Sequence, residues 1–504
     1  MTRFGQRARL ALSRWTPAGR RAAAAPDAPV EVQPGSNGHR GGWLHDLNGR
    51  LHLRQGHSGV GGVGANELAT VAPEAGPSVP DDTQVLQVLD LAMRVGEVLL
   101  SSGEGVAETT ETMLRLADAG GLPTCEVDIT FTSMTMSCHR GMVAPPVTTM
   151  RLVRYRSMDL TRLTDVAMLV GRVEREELSF TEAATELDVI NRARHPYPRW
   201  LTTAAWAGMA ASVAVLLGGG PVAAVVAFGA TGVIDRIGRL LNRYRLPLFF
   251  QQMCGALLAT GITAVLLYFS LLPAGTRPSL VVAAALTVLL SGLSVVGAVR
   301  DAIDGFFLTA AGRAGEITMF SAGLLGGVVL VLKAALVFGV ELSVAGPLPS
   351  SNLSLAVRAF AAGMTSGLFA LAGYSPVRYL PSAAGTGAAA WLLYTLLQQA
   401  GFGPVVATGI AAIGLGTFSG LLHRFTGVPR LVITLGAITP LLPGLTAYQG
   451  FYQLAVSGVT DGLVTVMLAL AIGLALAGGV ALGEWLTTEL RPATPLSAPG
   501  AGAK

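Results

Sequence analysis

From Trp200 to about residue 485 the chain is a series of apolar stretches broken by short polar connections, whereas the region before Trp200 carries most of the charge. Crossing a hydrocarbon layer takes about 20 apolar residues per helix. Ten stretches qualify, roughly 200–219, 221–235, 247–271, 279–299, 317–340, 355–374, 379–399, 403–422, 431–456 and 462–485.

Upstream, the period of the pattern changes. Val85, Leu86, Val88, Leu89, Ala92, Met93 and Val95 recur at helical spacing behind Asp81 and Asp82, which can cap that helix. It ends near Leu100–Gly105. A second helix follows, with Glu104, Glu108 and Glu111 near its start, where negative charge suits the dipole. Gly120 and Gly121 stop it. Cys125, Val127, Ile129 and Phe131 then alternate with polar residues, as a strand does. "SMTMSC" and "VTTMRLVRY" read as two more strands, with turns at His139–Gly141 and Pro145–Pro146. Helical spacing returns over 159–173 and 181–193. The order ααβββαα predicts a small α+β domain over 81–198. Residues 1–80 have no sustained period and are read as a disordered basic tail.

Charge fixes the predicted orientation. Arg192, Arg194 and Arg199 precede the first apolar stretch and place the 81–198 domain in the cytoplasm. Alternate loops then carry Arg236, Arg239, Arg243, Arg245, Arg300, Arg313, Arg378, Arg424 and Arg430. The opposite loops hold only Arg277, with Arg358 at a span edge. Both termini are therefore expected in the cytoplasm, with 489–504 as a short tail. No apolar run follows the arginines of the first 21 residues, so no signal peptide is expected. No aromatic residues interleave with them, and nucleic acid is not expected as a partner. Cys125, Cys138 and Cys254 fit neither a metal spacing nor a disulfide framework.

The apolar text repeats itself. "AGMAAS" at 207–212 returns as "AGMTSG" at 362–367, and "GGGPV" at 218–222 as "GYSPV" at 373–377. "LLATGITA" at 257–264 returns as "VVATGIAA" at 405–412, and "TVLLSGLS" at 287–294 as "TPLLPGLT" at 439–446. The four matches keep their order, so the expectation is two five-helix repeats, 200–340 and 355–488. Five is odd, so the second repeat enters the membrane upside down. This inverted build is common among secondary transporters, with substrate and coupling ion between the halves.

The fourth span of each repeat holds the candidate chemistry. In the first, Ser291–Gly292 interrupts the helix, which runs on into Arg300, Asp301 and Asp304. Asp301 and Asp304 share a helix face and could form a proton relay or a gate with Arg300 or Arg313. An ordinary solvated helix end is the plainer reading. In the second, Thr439, Pro440, Pro443 and Gly444 predict a broken helix, since each proline removes a donor and crowds the preceding turn. Such a break persists only where protein or a watery cavity satisfies the freed groups. Those groups could hold a zwitterion, with Thr446, Tyr448 and Gln449 adding polar contacts, or the break is only a kink. Lys333 lies inside a span, where a charge signals function unless its stem carries it to the surface. Asp235 reads as a boundary ion pair beside Arg236. In the soluble part, Ser102, Gly103, Glu104, Glu108 and Glu111 stand out, and with His139 they keep a membrane-anchored hydrolase in 81–198 as an alternative. A passive channel is a third. No phosphate loop, nucleophile elbow or metal spacing is present, so no catalytic residue, metal or cofactor is expected.

Three segments, "LLSSGEGVAETTETMLRLADAGGLPTCEVDIT" from Leu99, "RDAIDG" at 300–305 and "TPLLPG" at 439–444, together resemble the threonine/serine exporter family of bacterial inner-membrane proteins. The likeness spans 81 to about 488. It implies export of L-threonine and L-serine driven by the proton-motive force, with the amino acid, protons and the bilayer as partners and self-association left open. Its motif residues fall here on Ser102, Gly103, Glu104, Arg300, Asp301, Gly305, Pro440, Pro443 and Gly444.

Overall fold

The computed structural model of the chain describes residues 81–139, 145–153, 158–273, 276–289, 292–340, 353–426, 430–456 and 459–489. The predicted N-terminal tail and most of the C-terminal tail lie outside them, as does most of the turn at His139–Gly141.

The N-terminal region has the expected order. Helices α1 (Asp82–Ser102) and α2 (Val106–Ala119) precede strands β1 (Cys125–Thr130), β2 (Ser133–Cys138) and β3 (Val147–Leu152). Helices α3 (Leu160–Glu174) and α4 (Phe180–Arg192) follow. The sheet is an antiparallel meander in the order β1-β2-β3, with Cys125 opposite Cys138 and Cys138 opposite Val147. Met113, Leu116, Met134, Met136, Leu163 and Leu187 fill the space between sheet and helices. Fully burying side chains of this size contributes roughly 1.5–3 kcal/mol each. Ser179 and Glu182 form a capping box that fixes where α4 begins.

The C-terminal region is helical. Helix α5 (Arg199–Leu216) pairs with α6 (Pro221–Arg243), and α11 (Leu355–Ala372) pairs with α12 (Leu380–Gln399). Helix α7 (Leu248–Tyr268) packs on α10 (Phe307–Val337), and α13 (Pro404–Thr426) on α16 (Val459–Glu489). These two crossings are made by glycines. A Cβ on Gly323 of α10 would lie 2.6 Å from the Phe249 carbonyl oxygen of α7, and one on Gly479 of α16 would lie 2.6 Å from that of Gly409 in α13. Small residues let membrane helices approach this closely, so that dispersion contacts replace the missing hydrophobic drive.

The remaining helices are short and interrupted. Helices α8 (Pro278–Leu289) and α9 (Gly292–Ile303) form one bent unit, with 49° between Pro278–Leu289 and Ser294–Ile303. Helices α14 (Arg430–Ala437) and α15 (Gly444–Val456) are separated by a 3-10 turn at Thr439–Leu441 and an extended Leu442. Pro440 and Pro443 flank that extended residue, which is the break the sequence predicts.

The protein is a multi-pass helical membrane protein. Six helices among the described residues are long and apolar enough to cross a membrane, or seven with the bent pair counted as one. That is fewer than the ten stretches read from the sequence. Helices α5 and α12 form where expected but are rich in Ala, Gly and Thr, and α14 and α15 are each too short alone.

Candidate functional site: the joint between the α+β region and the helical bundle

The loop from α1 to α2 is shaped by glycine. Gly103 closes α1 in the left-handed conformation (φ 101°), and the Glu104 amide donates back to Leu99 O at 3.0 Å. Gly105 precedes α2 as its N-cap and has no side chain to satisfy the first amides. That role falls to another part of the chain. The Val106 amide donates to Asp301 Oδ1 at 3.3 Å, so a carboxylate of α9 caps α2. Asp301 is fully buried and also pairs with Arg313 of α10 at 2.9 Å.

One residue along, Arg300 ties three elements together. Its guanidinium binds Glu108 of α2, lies 3.5 Å from Glu484 of α16 and 4.0 Å from Asp304. Glu484 also accepts from Thr434 of α14 at 3.3 Å, and Thr434 meets Ser419 at 3.0 Å. Gly105 sits close under this pair: a Cβ there would come within 2.8 Å of Glu108 Oε2, so the Glu108 carboxylate would have to shift. Glu104, on the same loop, is pushed up to about 8, first by burial and then by the charge of Glu108, against the pull of Arg300.

Two further joints hold the α+β region to the bundle. Thr309 of α10 accepts from the Phe131 amide at 3.0 Å and donates to Ile129 O at 3.3 Å, at the turn between β1 and β2. Gly312 makes room for the Phe131 ring. The turn between α11 and α12 forms the third. There the Leu160 amide donates to Gly373 O at 2.9 Å, Tyr197 Oη donates to Ser375 O at 2.7 Å, and His195 stacks on Tyr374 with Nδ1 2.9 Å from Asp159.

A cavity of about 210 Å³ lies against the first joint. Its walls include Ser102, Gly103 and Gly105 of the loop, Ser294 and Arg300 of α9, Arg313 of α10 and Thr434 of α14. Hydroxyls and guanidiniums on apolar walls suit a small polar molecule with a carboxylate. A larger cleft of about 870 Å³ opens between α6, α7 and α8, with Arg239, Arg243 and Arg245 at its rim. It contains neither interrupted-helix residues of the second break nor the ion-pair cluster.

Seven of the residues singled out in the sequence converge here: Ser102, Gly103, Glu104, Glu108, Arg300, Asp301 and Asp304. Pro440, Pro443, Thr439 and Gly444 lie in the break just beyond α14; Thr434 of α14 and Ile438 just after it line the cavity, and Gly292 opens α9. Lys333 is exposed near the end of α10, and Glu111 is exposed on α2. Asp235 does form an ion pair, but with Arg239 at 3.0 Å rather than Arg236, because i and i+4 share a helix face. Sequence reasoning missed Glu484, Thr434 and the Asp159–His195–Tyr374 joint. Glu484 carried a signal: it is an acid in the last turns of a 31-residue apolar helix, within the stretch read as a membrane span, where a charge marks function by default.

An ion-pair cluster at the end of an interrupted-helix bundle, beside a small, mostly apolar cavity, is an arrangement that suits a multi-pass membrane transporter. Comparison with known proteins makes the class specific. A family model described as "Putative threonine/serine exporter" matches residues 90–335, and one described as "Threonine/Serine exporter, ThrE" matches 354–486. A "Probable threonine/serine exporter" of Mycobacterium tuberculosis is 40% identical over 418 residues, 82% of this chain and 78% of that one. The "Threonine/serine exporter" of Corynebacterium glutamicum is 33% identical over 445 residues, 86% and 89% of the two chains. The chain belongs to the threonine/serine exporter family, a family of transporters and not of enzymes, which sets the hydrolase alternative aside. Half of the chain also matches 95% of a "Probable succinate transporter subunit YjjP" of Klebsiella aerogenes at 25% identity. No solved structure matches.

Proposed function

We propose that the protein exports L-threonine and L-serine from the cytoplasm, exchanging them for protons, through a path between two inverted five-helix halves. The first half is α5 to α10 and the second α11 to α16, with α8–α9 and α14–α15 each counted as one interrupted crossing. The packing pattern supports this pairing. Each half has a first–second hairpin (α5–α6, α11–α12), a glycine-mediated third–fifth crossing (α7–α10, α13–α16) and a broken fourth span. Helices α5 and α11 pack on each other between the halves. A relative that half of this chain spans almost completely fits the idea of two separable units.

The α+β region is assigned to the cytoplasm, because Arg239, Arg243, Arg245, Arg300 and Arg313 all gather at its end of the bundle. The observation that carries the reading is the 210 Å³ cavity, which joins the arginine of the first broken span to the hydroxyl of the second. In it Arg300 and Arg313 draw in the substrate carboxylate, and Ser294 and Thr434 are placed to bond its hydroxyl. The test uses full-length protein in proteoliposomes with an imposed pH gradient. Labelled threonine and serine should move against their own gradients, and Thr434→Val should raise KM for both. Absence of any gradient-driven flux of small amino acids would refute the assignment.

A further inference from the structure

The 870 Å³ cleft between α6, α7 and α8 is about four times the size of the 210 Å³ cavity at the first joint, and its two ends differ chemically. Ile234, Leu258, Val288 and Leu289 make an apolar floor, while Arg239, Arg243 and Arg245 stand at the rim. Arg243 is the last residue of α6, a helix long enough to cross a membrane, which puts the rim at the membrane face. Ile234 precedes it by nine residues in the same helix. At the rise of an α-helix that places the floor roughly 14 Å deeper, close to the bilayer midplane at about 15 Å. The cleft thus runs from headgroup depth to acyl-chain depth.

The rim offers uncommitted charge. Asp235 holds Arg239 at 3.0 Å, whereas neither Arg243 nor Arg245 forms an ion pair among the described residues. Arg245 closes α6 in the left-handed conformation (φ 55°), a cap position that glycine takes more easily and that here carries a guanidinium. One turn into α7, Gln252 lines the cleft with its Oε1 buried and accepting no hydrogen bond. Buried acceptors are normally satisfied, so a donor from an occupant has a place there. Tyr244 and Phe250, beside the rim in the chain, are exposed, as aromatic side chains at a membrane surface commonly are.

We propose that this cleft binds an anionic phospholipid of the leaflet on the α+β side. The phosphate lies between Arg243 and Arg245, a headgroup hydroxyl donates to Gln252, and an acyl chain runs down the apolar floor. Guanidinium forks match phosphate oxygens, and basic pockets between membrane helices suit acidic headgroups. Free phosphate shares the rim chemistry but has nothing to cover the floor. Thr132 and Val153 of the α+β region line the same cleft, so the lipid touches both parts of the protein. Occupancy of this site does not depend on which amino acid is carried.

Trp206 also lines the cleft and reports on it. Full-length protein is reconstituted in phosphatidylcholine vesicles containing a minor fraction of phosphatidylglycerol with brominated chains, which quench tryptophan on contact. The Trp206 signal is the difference between wild type and Trp206→Phe. Brominated phosphatidylglycerol should quench it about tenfold more effectively than brominated phosphatidylcholine at the same fraction. Joint replacement Arg243→Ala and Arg245→Ala should abolish that preference. Arg236→Ala removes an exposed charge of the same helix outside the cleft and should leave the preference unchanged. Equal quenching of the wild type by the two lipids would overturn the proposal, however the variants fold. So would an undiminished preference in the double variant, or an equal loss from Arg236→Ala, which would mark general surface attraction. Relief of quenching by excess inorganic phosphate would make this a phosphate site, and relief by L-threonine a part of the transport path; either result also refutes the lipid assignment.

Discussion

Replacing Arg300 with alanine tests whether one side chain fastens the α+β region to the bundle. The guanidinium side chain is 19% exposed and serves Glu108, Glu484 and Asp304 at once. Removing one partner of a fully buried ion pair costs about 3–5 kcal/mol, because the other charge is left unpaired. Here Glu484 is 15% exposed and Glu108 38% exposed, so water recovers part of that cost. A loss of about 2–3 kcal/mol in local stability is the reasonable figure. One factor of ten corresponds to about 1.4 kcal/mol, so amide exchange across Gly105–Thr110 should quicken about 30- to 150-fold. Hydrogen exchange read by mass spectrometry of detergent-solubilised protein measures this segment directly. Adding Glu484→Gln to Arg300→Ala should restore about 1 kcal/mol, since it removes an orphaned charge. If the single change speeds exchange less than threefold, the ion-pair account of the joint fails. Additivity of the two changes within about 0.5 kcal/mol would likewise show that they do not interact.

Other outcomes follow from the same geometry. Asp301→Asn should cost about 3 kcal/mol and lower the yield of folded protein, because it removes the charge that pairs with Arg313 at 2.9 Å and weakens the cap on α2; equal thermal stability would contradict this. Asp304→Asn, at an exposed turn, should leave folding intact and is the cleaner probe of coupling. Gly323→Val and Gly479→Val should each destabilise by about 1–3 kcal/mol, by forcing α7 from α10 and α13 from α16, seen as faster thermal inactivation. Docking of the α1–α2 loop should weaken as pH rises from about 5 to about 8, because the docked Glu104 holds a proton that the freed one has lost. Protease cleavage within residues 103–110 should accelerate over that range and not the reverse.

The sequence by itself determined every element whose signal is local. Period 3.6 and period 2 placed α1 to α4 and the three strands, because amphipathic burial is written in residue spacing. Pro440 and Pro443 placed the break between α14 and α15, because a missing amide and a ring clash act on the chain's own backbone. Spans defined by apolarity were legible as helices, but α5 and α12 carry less apolar surface than a lone crossing needs, since they lie against other helices. The site was half legible. Arg300 and Asp301 stood out as charges at the end of a span and Glu104 as an acid between two glycines, yet no spacing rule links residue 106 to residue 301. Only the tertiary structure makes a carboxylate of one helix the cap of another, brings Glu484 from the far end of the chain to Arg300, and encloses the cavity among them. Those relations depend on which surfaces meet, and contacts across hundreds of residues leave no periodic trace in the text of the chain.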